Sequence, residues 1–155
     1  MQNTHNASGG GDTIIVTVSG ACAGVGKTRL VESLLALCPG AVAVKVQARA
    51  EGDVRVVEEM DVTESPQKDT GRYLAAGAGA AFLLSGAPQD LPPAARRLIE
   101  AAGARVLIFE TNSLALELRP DVAFFVDGPG PIKPCLLYTS PSPRDLSTSR
   151  MPSSA

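Results

Sequence analysis

The residues with the clearest chemistry in this chain are consecutive. Ala21-Cys-Ala-Gly-Val-Gly-Lys27-Thr28 fits the pattern A/G-x-x-x-x-G-K-[ST]. Small residues let a backbone approach a polyphosphate closely, so that successive N–H groups wrap its oxygens. Ala23, Gly24, Val25, Gly26, Lys27, Thr28 and Arg29 are then the expected nucleotide-binding residues. Lys27 would reach the β- and γ-phosphates, and Thr28 would offer its hydroxyl to Mg²⁺. A helix opening here adds its positive N-terminal end. The first position is Ala rather than Gly, although Gly20 stands just before it. The expected cofactors are GTP or ATP, with Mg²⁺. The bland alternative is a glycine-rich turn with a solvated lysine.

Phosphate chemistry of this kind needs a carboxylate opposite the loop to hold Mg²⁺ or its water. Val106-Leu-Ile-Phe-Glu110 is an apolar run ending in one acid, so Glu110 is assigned that role, with Lys27 as its catalytic companion and Thr28 as the second metal group. Asp127 also follows an apolar run, but Gly128-Pro-Gly makes a turn role the simpler reading. Asp53 and Asp61 lie in an acidic stretch that reads either as a switch region or as a solvated face. Lys68, Asp69 and Arg72 form a polar cluster; on a helix, Lys68 and Arg72 share a face and either bind an anion or decorate the surface. Lys45 is an unusual strand lysine, snorkelling at an edge or reaching into the crevice at the strand ends.

These residues need a scaffold. Thr13–Ser19 is a β-branched run that predicts a buried strand, followed by the loop Gly20–Gly26. Lys27–Cys38 carries apolar residues at Leu30, Val31, Leu34, Leu35 and Leu37, the spacing of a helix packed on a sheet, and Pro39-Gly40 stops it. Ala41–Gln47 predicts a second strand, and 48–66 an irregular excursion with a short strand at Val54–Val57. Asp69–Gly77 predicts a short helix capped by Asp69 or Thr70. Ala80–Ser85 is a strand, and Gln89–Ala102 a helix with Pro92-Pro93 in its first turn and Gly103 at its end. Arg105–Phe109 is a strand, Leu114–Leu118 a helical turn, and Asp121–Val126 the last strand. Such alternation implies an α/β fold, an open and mostly parallel sheet with helices on both faces, and the loop Ala21–Thr28 places it in the P-loop NTPase class.

Composition agrees with one soluble domain in 155 residues, 45% hydrophobic and 19% charged. A net charge of −2 argues against a basic nucleic-acid surface. No apolar stretch approaches the roughly 20 residues of a membrane span. Three cysteines without paired spacing suit a reducing compartment, and the chain reads as cytoplasmic. Cys22 reads as a small loop side chain, and His5 as part of a disordered leader over residues 1–12 that is not a secretory signal. The nucleotide-binding domain is assigned to residues 13–134. Residues 135–155, CLLYTSPSPRDLSTSRMPSSA, change abruptly to Ser and Pro. They resemble the translation of a sequencing-library adapter and are read as a non-native tail. The domain would then be truncated, leaving an unpaired sheet edge and exposed apolar surface.

The order GVGKT, VKV, PQKDTGRYLAAGA and LIFE resembles the MobB-type P-loop proteins of molybdenum-cofactor biosynthesis over about residues 13–127. The matching positions are the P-loop, Lys45, Pro66-Gln-Lys-Asp-Thr-Gly-Arg72, Ala76-Gly-Ala78 and Glu110. The chain departs from the pattern at Val46-Gln47, where the family often has His, and at Glu110-Thr-Asn-Ser113, where it often has Glu-Gly. It is thus similar to a divergent branch. The resemblance implies GTP binding, slow hydrolysis, a homodimer, and an accessory role beside the enzyme that attaches a nucleotide to molybdopterin, with a molybdopterin-biosynthesis or molybdoenzyme partner. Two other functions compete. A small-molecule kinase would use Lys45, Lys68 or Arg72 on an anionic acceptor, yet within residues 13–134 only Arg105 and Arg119 follow the last helix, too few for an Arg-rich lid. A binding module would carry nucleotide without turnover.

Overall fold

Apolar runs alternate with amphipathic ones along this chain, and the two kinds of segment separate into a sheet and its covering helices. The structure, a computed structural model, describes residues 12–60 and 68–128. His5, Asp61, Pro66 and the tail lie outside the described residues. The strands are β1 (Ile14–Gly20), β2 (Val42–Ala48), β3 (Arg55–Glu59), β4 (Ala80–Gly86), β5 (Val106–Glu110) and β6 (Val122–Val126). The helices are α1 (Lys27–Leu37), α2 (Asp69–Ala75) and α3 (Leu91–Ala102). The strands form one six-stranded sheet in the order β3-β4-β2-β5-β1-β6. Every pairing is parallel except β3 on β4.

Handedness explains where the helices lie. Right-handed crossovers place connections that move one way along a sheet on one face, and those that move back on the other. The steps β1 to β2 and on to β4 move in one direction, and α1 and α2 share a core of Val16, Val18, Val31, Leu35, Ala43, Tyr73 and Ile108. The step from β4 to β5 moves back, and α3 packs Leu91, Ala94, Ala95 and Leu98 against Val42, Val44, Leu84, Leu107 and Phe109 on the opposite face. Each fully buried Leu or Val on these faces contributes about 1.5–3 kcal/mol.

Several sequence expectations need correction. Leu37 is 78% exposed and belongs to no core, because it sits off the stripe made by Val31 and Leu35. The short strand expected at Val54–Val57 is present but shifted, running Arg55–Glu59 as an antiparallel edge strand on β4. α2 ends at Ala75 and is capped by neither Asp69 nor Thr70; Lys68 holds the cap position with extended backbone and no side-chain bond. The segment Leu114–Leu118 does make one helical turn, closed by the Leu118 N–H on the Leu114 carbonyl at 3.2 Å. β6 lies at the sheet edge opposite β3, and its Val122 and Phe125 are 43% and 42% exposed. Among the described residues, no helix is long and apolar enough to cross a membrane.

Candidate functional site

Strand alternation puts one row of side chains from β2 and β5 on the face covered by α1 and α2. That row runs Ala43 and Lys45 on β2, with Ala41 just before it, and Ile108 and Glu110 on β5. Because the strands are parallel, both rows end at the same edge of the sheet, where β1 delivers the loop Ala21–Gly26 into α1. Residues distant in sequence therefore meet at the carboxyl ends of the strands, the usual ligand crevice of open α/β sheets.

The loop has specific supports. The Ala21 N–H donates to the Val126 carbonyl at 3.0 Å. The Gly20 N–H donates to the Asn112 side-chain oxygen at 2.9 Å. Gly26, the residue before α1, adopts φ 105°, a left-handed conformation that favours glycine. A Cβ at Gly20 would lie 2.9 Å from both Cγ and Cδ of Lys27 and 2.8 Å from Cγ2 of Val25. The Lys27 stem thus runs against the Gly20 backbone, which makes Gly20 the position where a side chain would be in the way. No side chain caps α1 and no acid stands in its first turn, so its positive end is left to face an anion.

Glu110 is the hub. Its side chain is 2% exposed, and its oxygens accept from three donors. Lys45 Nζ lies 2.7 Å from Oε1. Thr28 Oγ1 lies 3.2 Å from each carboxylate oxygen. The Tyr73 hydroxyl donates to Oε2. Asp69 flanks this hub, 3.0 Å from Lys45 Nζ and 3.4 Å from Thr28 Oγ1. Arg72 pairs with Glu32 of α1 and stands 3.9 Å from Asp69. Burial, with the Glu110 carboxylate beside it, pushes the Tyr73 phenol far above its ordinary range, so it remains a donor. Burial pulls Lys45 down, but its contacts with Glu110 and Asp69 outweigh that, and the ammonium is held above its usual value.

A concavity of about 410 Å³ opens beside this hub, within the usual size of small-molecule sites. Ala23, Gly24, Gly26, Lys27, Thr28 and Arg29 line it from the loop and α1, and Lys45, Asp69, Arg72 and Glu110 close the other side. Val25 does not line it; its side chain packs toward Gly20 and Gly128. A second concavity of about 360 Å³ adjoins the first, sharing Lys45 and Asp69 and adding Gln47, Lys68, Thr70 and Leu83.

Of the predicted site residues, Ala23, Gly24, Gly26, Lys27, Thr28, Arg29, Lys45, Asp69, Arg72 and Glu110 converge, and Val25 does not. Lys68 and Arg72 do not share a site: Lys68 faces the second concavity and Arg72 the first. Asp53 is exposed before β3, away from both. Asp127 accepts from the N–H of its neighbour Gly128 at 2.8 Å, the turn role expected of it. Tyr73, Asn112 and Glu32 were missed. Tyr73 alone had a signal, as a phenol four residues after Asp69 in a chain poor in aromatics.

Thr28 hydroxyl and carboxylate oxygens are hard donors of the kind Mg²⁺ takes. Among the described residues no group of three or more His, Cys, Asp or Glu could hold a metal alone. Mg²⁺ here would need phosphate oxygens as further ligands, and on that condition the residues fit it. No family model, no curated protein and no solved structure matches this chain.

Proposed function

We propose that this chain binds a nucleoside triphosphate with Mg²⁺ in the larger concavity. The observation that carries this reading is the meeting of Thr28 Oγ1 with Glu110 at 3.2 Å beside the glycine-rich loop and the uncapped start of α1. In this reading the loop N–H groups cradle the phosphates, and Lys27 neutralises charge on the β- and γ-oxygens. Mg²⁺ would be held by Thr28 and, directly or through water, by Glu110, and would offset charge on the transferring phosphoryl group. Tyr73 fixes the Glu110 carboxylate in place, and Arg72 with Arg29 adds positive charge at the rim.

The resemblance through Lys45, Lys68, Asp69, Arg72 and Glu110 narrows the proposal. The nucleotide is GTP, hydrolysed slowly, and the protein is a cytoplasmic, homodimeric accessory of molybdopterin guanine dinucleotide or related molybdenum-cofactor synthesis. A second reading, a small-molecule kinase, is favoured by the adjoining concavity with Lys45 and Lys68. The test is competition of GTP and ATP against a fluorescent GTP analogue with Mg²⁺, followed by phosphate release. Preferential competition by GTP with slow release supports the accessory GTPase. Strong ATP competition with no release until an acceptor is added favours the kinase, and binding that never leads to release leaves a nucleotide-carrying module.

A further inference from the structure

The place where a cation would be expected already contains a positive charge. Lys45 Nζ sits between Glu110 Oε1 at 2.7 Å and Asp69 Oδ2 at 3.0 Å, and the same two carboxylates face Thr28 Oγ1. Lys45 reaches this point from β2, whose register sets it directly beside Glu110 on β5. Its side chain is 19% exposed, so water does little to screen it from the carboxylates.

We propose that the Lys45 ammonium is an internal occupant of the metal site, which rests on the nucleotide-Mg²⁺ reading above. It offsets the charge of Glu110 and Asp69 and repels a free divalent cation. The site therefore admits Mg²⁺ only together with phosphates. Two observations converge on this. The protein donors are too few to hold a metal alone. The two carboxylates nearest Thr28 are already bridged by an ammonium. An incoming triphosphate changes the balance, because its own negative charge and oxygen ligands outweigh the single repelling charge. Lys45 also borders the second concavity, which gives its side chain room to leave Glu110 without leaving Asp69.

The test reads metal binding without nucleotide, by electron paramagnetic resonance titration of Mn²⁺ on the full chain. Wild type and Lys45→Arg, which keep the charge, are expected to show weak binding. Lys45→Met is expected to bind Mn²⁺ at least about tenfold tighter, since it removes a unit charge that repels the cation at short range. Lys45→Gln keeps a hydrogen-bond donor to Glu110 without the charge and is expected to match Lys45→Met, which covers the case in which the methionine variant fails to fold. Equal Mn²⁺ affinity in wild type and the neutral variants overturns the proposal. Nucleotide binding of the wild type is read separately, so loss of the nucleotide reading and loss of this one are distinguishable.

Discussion

Lys45 and Glu110 are direct register partners across the parallel pair β2 and β5, and their side chains meet at 2.7 Å on the face covered by α1 and α2. The strand pairing itself builds the charged centre of the site. Each strand places an apolar row beneath the helices and ends it with one charged group, and Thr28 and Tyr73 descend from α1 and α2 to join them.

Glu110→Gln keeps the shape of this hub and removes its charge. Lys45 would then lose its closest counter-charge, and the amide would present an N–H₂ group to one of three donors. The expected destabilisation is about 1–3 kcal/mol in urea unfolding. Mg²⁺-dependent nucleotide affinity should fall as well. Wild-type stability in this variant would show that Glu110 is not the hub.

The raised Tyr73 and Lys45 pKa values predict a pH dependence with a definite sign. Both groups bind their protons more tightly in the folded chain than their ordinary values of 10.0 and 10.5 allow. Their contribution is fully present below about pH 10 and is lost as pH rises above the unfolded values toward the folded ones. Unfolding free energy should therefore decline above about pH 10, and the decline should be shallower in Tyr73→Phe. That variant should also cost about 1.5–3 kcal/mol at neutral pH, by loss of a hydrogen bond to a charged acceptor. Equal slopes for the two proteins would remove Tyr73 from the account.

Two glycines should separate function from stability. A Cβ at Gly79 would lie 2.7 Å from the Gly40 carbonyl oxygen, a backbone atom in a tight turn, so Gly79→Ala is expected to lose about 1–3 kcal/mol. A Cβ at Gly20 meets side-chain atoms of Val25 and Lys27 instead. Gly20→Ala should cost less in stability but shift the Lys27 stem and weaken nucleotide binding. Thermal unfolding and analogue binding, measured on both variants, check the pair.

The scaffold was largely legible because its signals are local. The β-branched run of β1, the Val31 and Leu35 stripe of α1 and the Pro-start and Gly-stop of α3 each follow from near neighbours in sequence. β3 was legible as a short strand at Val54–Val57, but its extent to Glu59 was not. Arg55–Glu59 is mostly exposed and held by backbone pairing to β4, so it carries no buried alternation to find. At the site, the residue types announced Lys27, Thr28 and Glu110. Partnerships were not legible, because they depend on strand order. Nothing local places Lys45 beside Glu110, 65 residues away, or sends the Asn112 side chain to Gly20. The Thr111-Asn112-Ser113 departure also acquires a physical reason. Thr111 Oγ1 accepts the Leu114 N–H at 3.0 Å, starting the turn at Leu114–Leu118, while Asn112 tethers the end of β1.

The central claim is that the loop binds nucleotide phosphates, and titration of a fluorescent GTP analogue with Mg²⁺ tests it most directly. The full chain and its Lys27→Ala variant would be compared, with circular dichroism verifying that both are folded. The account predicts saturable binding by the wild type and a loss of at least about tenfold in the variant, since a charge-assisted contact is worth about 1.5–3 kcal/mol. A folded wild-type protein that binds no analogue, or a variant that binds as well as the wild type, would contradict it.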